Sequence, residues 1–279
     1  MLVKRAMSKN VVSVSVPGNR EKVLDLMRKE DKAVLPVVKG DTKQLVGLIT
    51  RSDLIVNPDE EQIAILMSTD LVTASPDEDV VEVAKKMIDN NVRRVPVVDD
   101  NGDLVGIITS FDLVANALIK LERDDPVENF MITNVPTTWY KTPLNVAFET
   151  MKQFGLKSVL ALNDSAKLVG ILTETDFIEE SEIISERSEH SSTVGTEGDK
   201  WSWDSTSVLY IEKNCLKFTD KLVKDVGTHK VEVVNSKTKA ADCAKKMKTL
   251  NIEQIPVIGV EGELIGLVRA SDLIKALIE

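Results

Sequence analysis

The chain has 279 residues, enough for one elaborate domain or two ordinary ones. Its 43% hydrophobic and 29% charged residues are an ordinary globular composition, which excludes disorder over most of the length. A net charge of −10 without a long basic run argues against duplex nucleic acid as a partner, and no apolar run approaches the roughly 18 residues of a membrane span. The opening MLVKRAMSKN lacks an apolar stretch of signal-peptide length. Two cysteines, Cys215 and Cys243, exclude a disulfide scaffold and fit a reducing, cytoplasmic compartment. Two histidines, His190 and His229, leave little for metal or nucleophilic chemistry. His190 reads as a solvated loop residue and Cys243 as part of a helix's apolar face.

One pattern recurs four times along the chain. Its anchors in order are Met7, Met27, Pro36, Gly47 and Asp53, then Met67, Met87, Pro96, Gly106 and Asp112. Met131, Met151, Leu160, Gly170 and Asp176 follow, and Val226, Met247, Pro256, Gly266 and Asp272 close the series. The offsets between anchors vary by at most one residue inside a repeat, so the chain reads as four copies of one unit.

The second copy shows the unit best. Val72-Thr73-Ala74 reads as a short strand, with Ser75 as a helix N-cap and Pro76 at the first helical position. Val80, Val83, Ala84 and Met87 make one apolar helix face, ended at Asn90-Asn91. Val95–Val98 reads as a strand whose proline suggests an edge or a first position. Asp99–Gly102 is a hairpin turn, Leu104–Ile108 the return strand, and a second amphipathic helix runs from about Ser110 to Leu121. The unit is strand, helix, strand, strand, helix, an α/β fold.

Between the third and fourth copies lie about 32 extra residues. Their first part reads as a solvated helix end and loop. Val208–Glu212 and Cys215–Thr219 read as a hairpin turning at Lys213-Asn214. Trp201, Trp203 and Tyr210 concentrate aromatics here, as a small satellite core or a partner contact.

The openings AMSKNVVSV, LMSTDLVTA and FMITNVPTT, and RRVPVVDDNGDLVGIITSFD with its counterparts, resemble the CBS domain family. The resemblance covers repeats at 3–56, 62–121, 127–180 and 221–279, with the insert at 181–220. It implies four tandem repeats paired into two Bateman modules, first with second and third with fourth. Four copies in one chain are similar in architecture to the gamma subunit of the AMP-activated protein kinase and to stand-alone archaeal proteins. The implied function is regulatory and not enzymatic. An adenine nucleotide (AMP, ADP or ATP) or S-adenosylmethionine binds in clefts between paired repeats and acts on a regulated protein partner. A scaffold with mostly degenerate clefts is the alternative. The two modules are expected to stack through helix faces such as Leu113, Ala117 and Leu118, and Leu273, Ala276 and Leu277, with a homodimer left open.

By that resemblance, the threonine and aspartate after the last strand meet phosphate and ribose: Thr50 and Asp53, Thr109 and Asp112, Thr173 and Asp176. The adenine lies against the first strand, at Val12-Ser13, Val72-Thr73, Pro136-Thr137 and Val231-Glu232. The residues themselves leave two readings open. A helix N-terminus with a threonine hydroxyl is a phosphate site, and Thr-x-x-Asp is equally a capping box. Positive charge separates the copies. Arg93-Arg94 precede the second proline strand, where the others have Ala33-Val34, Lys157-Ser158 and Glu253-Gln254. The first copy adds Arg51 beside its cap. The third has Glu174 beside its own, and the fourth has Arg269 in place of threonine before Ser271-Asp272, which puts a site at Asp272 in doubt and leaves Arg269 to reach a phosphate in a neighbouring cleft. No phosphate-binding loop, dinucleotide fingerprint, zinc-protease motif or Cys-x-x-Cys occurs.

Overall fold

A short strand, a helix, a two-stranded hairpin and a closing helix recur four times in the computed structural model, which describes residues 1–57, 60–121, 124–193, 206–218 and 220–278. The first repeat holds β1 (Val14–Val16), α1 (Arg20–Lys29), β2 (Val34–Lys39), β3 (Leu45–Thr50) and α2 (Arg51–Val56). The second holds α3 (Ile63–Leu66), α4 (Val80–Asp89), β4 (Arg94–Val98), β5 (Leu104–Thr109) and α5 (Ser110–Asn116). The third holds β6 (Thr137–Trp139), α6 (Leu144–Gln153), β7 (Ser158–Leu162), β8 (Leu168–Thr173) and α7 (Glu174–Glu179). After β9 (Ser181–Thr193) and β10 (Thr206–Phe218) come α8 (Val223–Val226), β11 (Val234–Asn235), α9 (Ala240–Leu250), β12 (Gln254–Ile258), β13 (Leu264–Arg269) and α10 (Ala270–Leu273).

In the first, third and fourth repeats the first strand pairs in parallel with the second, which pairs antiparallel with the third. The second repeat shortens the first strand to one parallel bridge, Ala74 with Val97. The proline strand is therefore central, not an edge. Pro96 tolerates this because its carbonyl accepts from Ala74 N at 3.0 Å while its nitrogen faces chain upstream of that single bridge. Where Leu160 replaces proline, its N–H donates to Pro136 O at 3.0 Å and the parallel pairing gains a rung.

Helix α4 begins later than Ser75 predicts. Asp79 is its N-cap and accepts from Val81 N at 2.9 Å. Ser75 instead closes a turn, its carbonyl accepting from Glu78 N at 3.2 Å. The insert also differs from expectation. Strands β9 and β10 pair from Phe218 with Ser181 to Thr206 with Thr193, so β10 runs straight through Lys213-Asn214. His190 lies in β9, and Trp201 and Trp203 fall outside the described residues.

Each module forms by exchange. The opening segment of one repeat bonds the outer edge of its partner's hairpin. Ser8 and Ile107 exchange two hydrogen bonds of 2.9 and 3.0 Å, and Leu48 and Ser68 exchange two of 3.0 and 2.8 Å. Ile132 with Leu267 and Ile171 with Thr228 repeat the arrangement in the second module. The recurring glycine admits that segment: a Cβ at Gly106 would stand 2.5 Å from Met7 Sδ and 3.1 Å from Ser8 O. Met67 against Gly47 and Met131 against Gly266 repeat the contact, which explains two anchors of the sequence pattern at once.

The modules then join through their even-numbered repeats. One continuous core takes Leu113, Leu118, Met247, Cys243, Leu273 and Ala276, all fully buried. Helix α5 packs on α9 and α10, and Lys248 Nζ caps the end of α5 through Ala115 O at 2.9 Å. The first and third repeats keep separate cores, around Met27, Leu35 and Ile49 and around Leu144, Met151 and Leu172. Burial pushes the Cys243 thiol up to about 12, so it behaves as an apolar core residue. Among the described residues no helix is long and apolar enough to cross a membrane.

Candidate functional site

Strands β4 and β5 place Arg94 directly opposite Thr109, and Ser110 N donates to Arg93 O at 2.9 Å. Arg93, Arg94, Thr109 and Asp112 thus meet at one end of the hairpin, where α5 begins. Val72 and Thr73 precede the bridging Ala74 and so run beside the start of β4. Val72 packs on the core, and the Thr73 carbonyl accepts from Lys86 Nζ at 3.1 Å.

The capping box is complete. Thr109 N and Oγ1 donate to Asp112 Oδ2 at 2.8 and 2.7 Å, and Asp112 N donates to Thr109 Oγ1 at 3.0 Å. Both donations to the carboxylate fall on one oxygen. Among the described residues no protein group donates to Oδ1. Capping and ligand binding are therefore compatible, because they use different oxygens of one carboxylate.

Thr50 with Asp53 repeats this geometry at 2.7 and 2.8 Å, and Thr173 with Asp176 at 2.6 and 2.9 Å, again all on Oδ2. Ser13 stands just before β1 and Thr137 is the exposed first residue of β6, so each occupies the first-strand position expected of it. The fourth repeat differs. Arg269 Nε donates to Asp272 Oδ2 at 2.7 Å and Arg269 Nη2 to Oδ1 at 2.9 Å. Asp272 is 5% exposed and has both oxygens engaged. Arg269 is held on its own repeat by Asp272, although its charge is still felt at Arg93.

Burial raises the Asp112 carboxyl above its ordinary value, against the opposing donors of Thr109. Asp176 is raised for the same reason. Burial, followed by the like charge of Arg94, lowers the Arg93 guanidinium. The other cations around this centre have partners. Arg51, 6% exposed, donates to Thr175 Oγ1 and to Asp31 Oδ1 at 3.3 Å. Lys157 donates to Ser52 Oγ and to Glu174 Oε1 at 3.0 Å. The Lys157–Ser52 bond and that of Ser52 Oγ to Glu174 Oε1 at 2.7 Å join the first and third repeats. Sequence reasoning missed Glu253, which comes from the fourth repeat to within 3.5 Å of Arg94 Nη2. Only the packing of one module on the other reveals it.

The CBS domain model matches residues 3–58, 61–118, 127–182 and 223–279. The chain belongs to the CBS domain family. As a CBS protein of four repeats it is 21% identical over 98% of both chains to the uncharacterized protein MJ1225 of Methanocaldococcus jannaschii. The crystal structure of MJ1225, proposed as an archaeal homologue of gamma-AMPK, superposes with a TM-score of 0.78 at 19% identity, covering 99% of this chain and 100% of that one. An uncharacterized conserved protein of Pyrococcus horikoshii gives a TM-score of 0.66 at 26% identity, with 99% and 100% covered. A second uncharacterized protein of M. jannaschii, MJ1404, is 28% identical over 98% of this chain and 61% of its own length. These likenesses establish the four-repeat fold.

Proposed function

We propose that the protein is a regulatory sensor, without catalysis of its own, that binds adenosine-containing ligands in clefts between paired repeats. The second repeat supplies the principal site. The free Oδ1 of Asp112 beside an already capped helix carries the reading: it is a fixed acceptor for the vicinal hydroxyls of a ribose. Thr109 and the N-terminus of α5 then face phosphate, with Arg94 as the neutralising guanidinium and Val72-Thr73 along the adenine. The first and third repeats offer the same free oxygen at Asp53 and Asp176, but Arg51 and Lys157 are already committed to neighbours. The fourth repeat serves structure, because Arg269 fills the place at Asp272 that a ribose would need. Binding acts on a partner by favouring one arrangement of the two modules, which meet at Arg94 and Glu253.

Calorimetric titration with AMP, ADP, ATP, S-adenosylmethionine and adenosine tests this reading. A charge-assisted hydrogen bond contributes about 1.5–3 kcal/mol, so Arg94→Ala is expected to weaken phosphorylated ligands about ten- to a hundredfold. Asp112→Ala should weaken every ribose-bearing ligand. If both variants bind the panel as tightly as the wild type, Thr109 and Asp112 are a helix cap and nothing more.

A further inference from the structure

We infer that Glu253 limits the phosphate charge that the second-repeat cleft accepts, so that the cleft favours adenosine ligands with few or no phosphates. The inference deepens the reading of that cleft as an adenosine site and rests on it. Glu253 occupies the position in the fourth repeat that Arg93 occupies in the second, and it arrives from the opposite module. Its Oε1 stands 3.5 Å from Arg94 Nη2, at the long end of an ion pair, with the Arg94 side chain only 21% exposed. Arg269 is held by Asp272, Lys157 by Glu174, and Arg51 by Thr175 and Asp31. Among the described residues around this cleft, Arg93 and Arg94 are the cations left for a ligand, and Glu253 is set against them.

A phosphate that takes Arg94 must stand beside the Glu253 carboxylate or displace it. The opposition is nil for adenosine and grows with each phosphate charge. It is moderate and open to screening by salt, because the Glu253 side chain is 46% exposed. The Glu253 charge also reaches Asp112 and Arg93, raising the Asp112 carboxyl and opposing the lowering of Arg93.

The test titrates wild type, Asp112→Ala, Glu253→Gln and the double variant Arg94→Gln/Glu253→Gln with adenosine, AMP, ADP and ATP, without divalent cations, at low and high salt. Glu253→Gln should leave adenosine affinity unchanged. It should strengthen AMP up to about fivefold, the size of a solvent-accessible charge pair, and ATP more. The gain should shrink in high salt and vanish in the double variant. An equal shift across the series, adenosine included, or no shift at all overturns the inference. If the wild type binds the series, Asp112→Ala loses it and Glu253→Gln does not reorder it, only the inference about Glu253 fails. If the wild type binds neither the series nor S-adenosylmethionine, the adenosine reading fails and the inference fails with it; if it binds S-adenosylmethionine alone, only the inference fails.

Discussion

Arg269 holds both carboxylate oxygens of Asp272, Nε on Oδ2 at 2.7 Å and Nη2 on Oδ1 at 2.9 Å. In the other three repeats a threonine takes one oxygen, and among the described residues no group donates to the other. Both arrangements bring the carboxylate back to the N-cap N–H, at 2.8 Å for Thr109 and 3.3 Å for Arg269, and they differ in what remains for a ligand. Arg269→Thr restores the Thr-x-x-Asp pattern and frees Oδ1. We expect the variant to fold and to bind one more equivalent of ligand than the wild type, read as stoichiometry in calorimetry. An unchanged stoichiometry would show that the fork at Asp272 is not what closes the fourth cleft.

Asp112 gives a pH signature. Its carboxyl is raised above the ordinary value of 3.8 because burial outweighs the donors of Thr109. Its proton therefore favours the folded chain at pH below 3.8, and that contribution is lost as pH rises through the raised value. A ribose hydroxyl on Oδ1 works the other way, because it prefers the carboxylate. Ligand binding should expel a proton in mildly acidic solution, and affinity should fall as pH drops toward the raised value. Titration across the acidic range in two buffers of different ionisation heat measures the release. Identical heats in both buffers, with affinity flat across the range, would exclude Asp112 as the contact.

The exchange of opening segments fixes how closely two repeats approach. A Cβ at Gly227 would lie 2.7 Å from the backbone oxygen of Ile171, an atom held in a two-way bridge with Thr228. At Gly106 the tightest contact is the flexible Met7 Sδ, which can turn aside. Overpacking of this kind costs about 1–3 kcal/mol, so Gly227→Ala should lower stability by that amount and Gly106→Ala by less. Chemical denaturation of both variants decides it. The reverse ranking would mean that the bridge between Ile171 and Thr228 is not rigid.

The repeat was legible because its anchors recur at nearly fixed spacing, each copy meeting the same structural demand. Met7, Met67 and Met131 each meet a glycine of the partner repeat, and the hairpin turn at Asp99–Gly102 needs Gly102 at φ +81°. The capping box was equally legible, because Thr109 and Asp112 are three residues apart on one backbone. Ser75 misled because two capping residues, Ser75 and Asp79, stand four apart, and the Ser75–Glu78 turn delays the helix. The central place of Pro96 was hidden because the short partner strand, not the proline, decides which groups go unpaired. What no local pattern could show was the mating of modules. The contact of Lys248 with Ala115 and that of Glu253 with Arg94 join positions far apart in the chain. The long side chain of Arg269 had equally good partners at several distances, and only the buried carboxylate at Asp272 settles where it goes.

A crystal structure of the protein with its tightest ligand from the adenosine series tests the reading of the second repeat most directly. We expect the ribose hydroxyls within hydrogen-bond distance of Asp112 Oδ1, with the cap from Thr109 to Oδ2 unchanged and any phosphate on Arg94 and the N-terminus of α5. A ligand bound elsewhere, with Asp112 Oδ1 left to solvent, would contradict it.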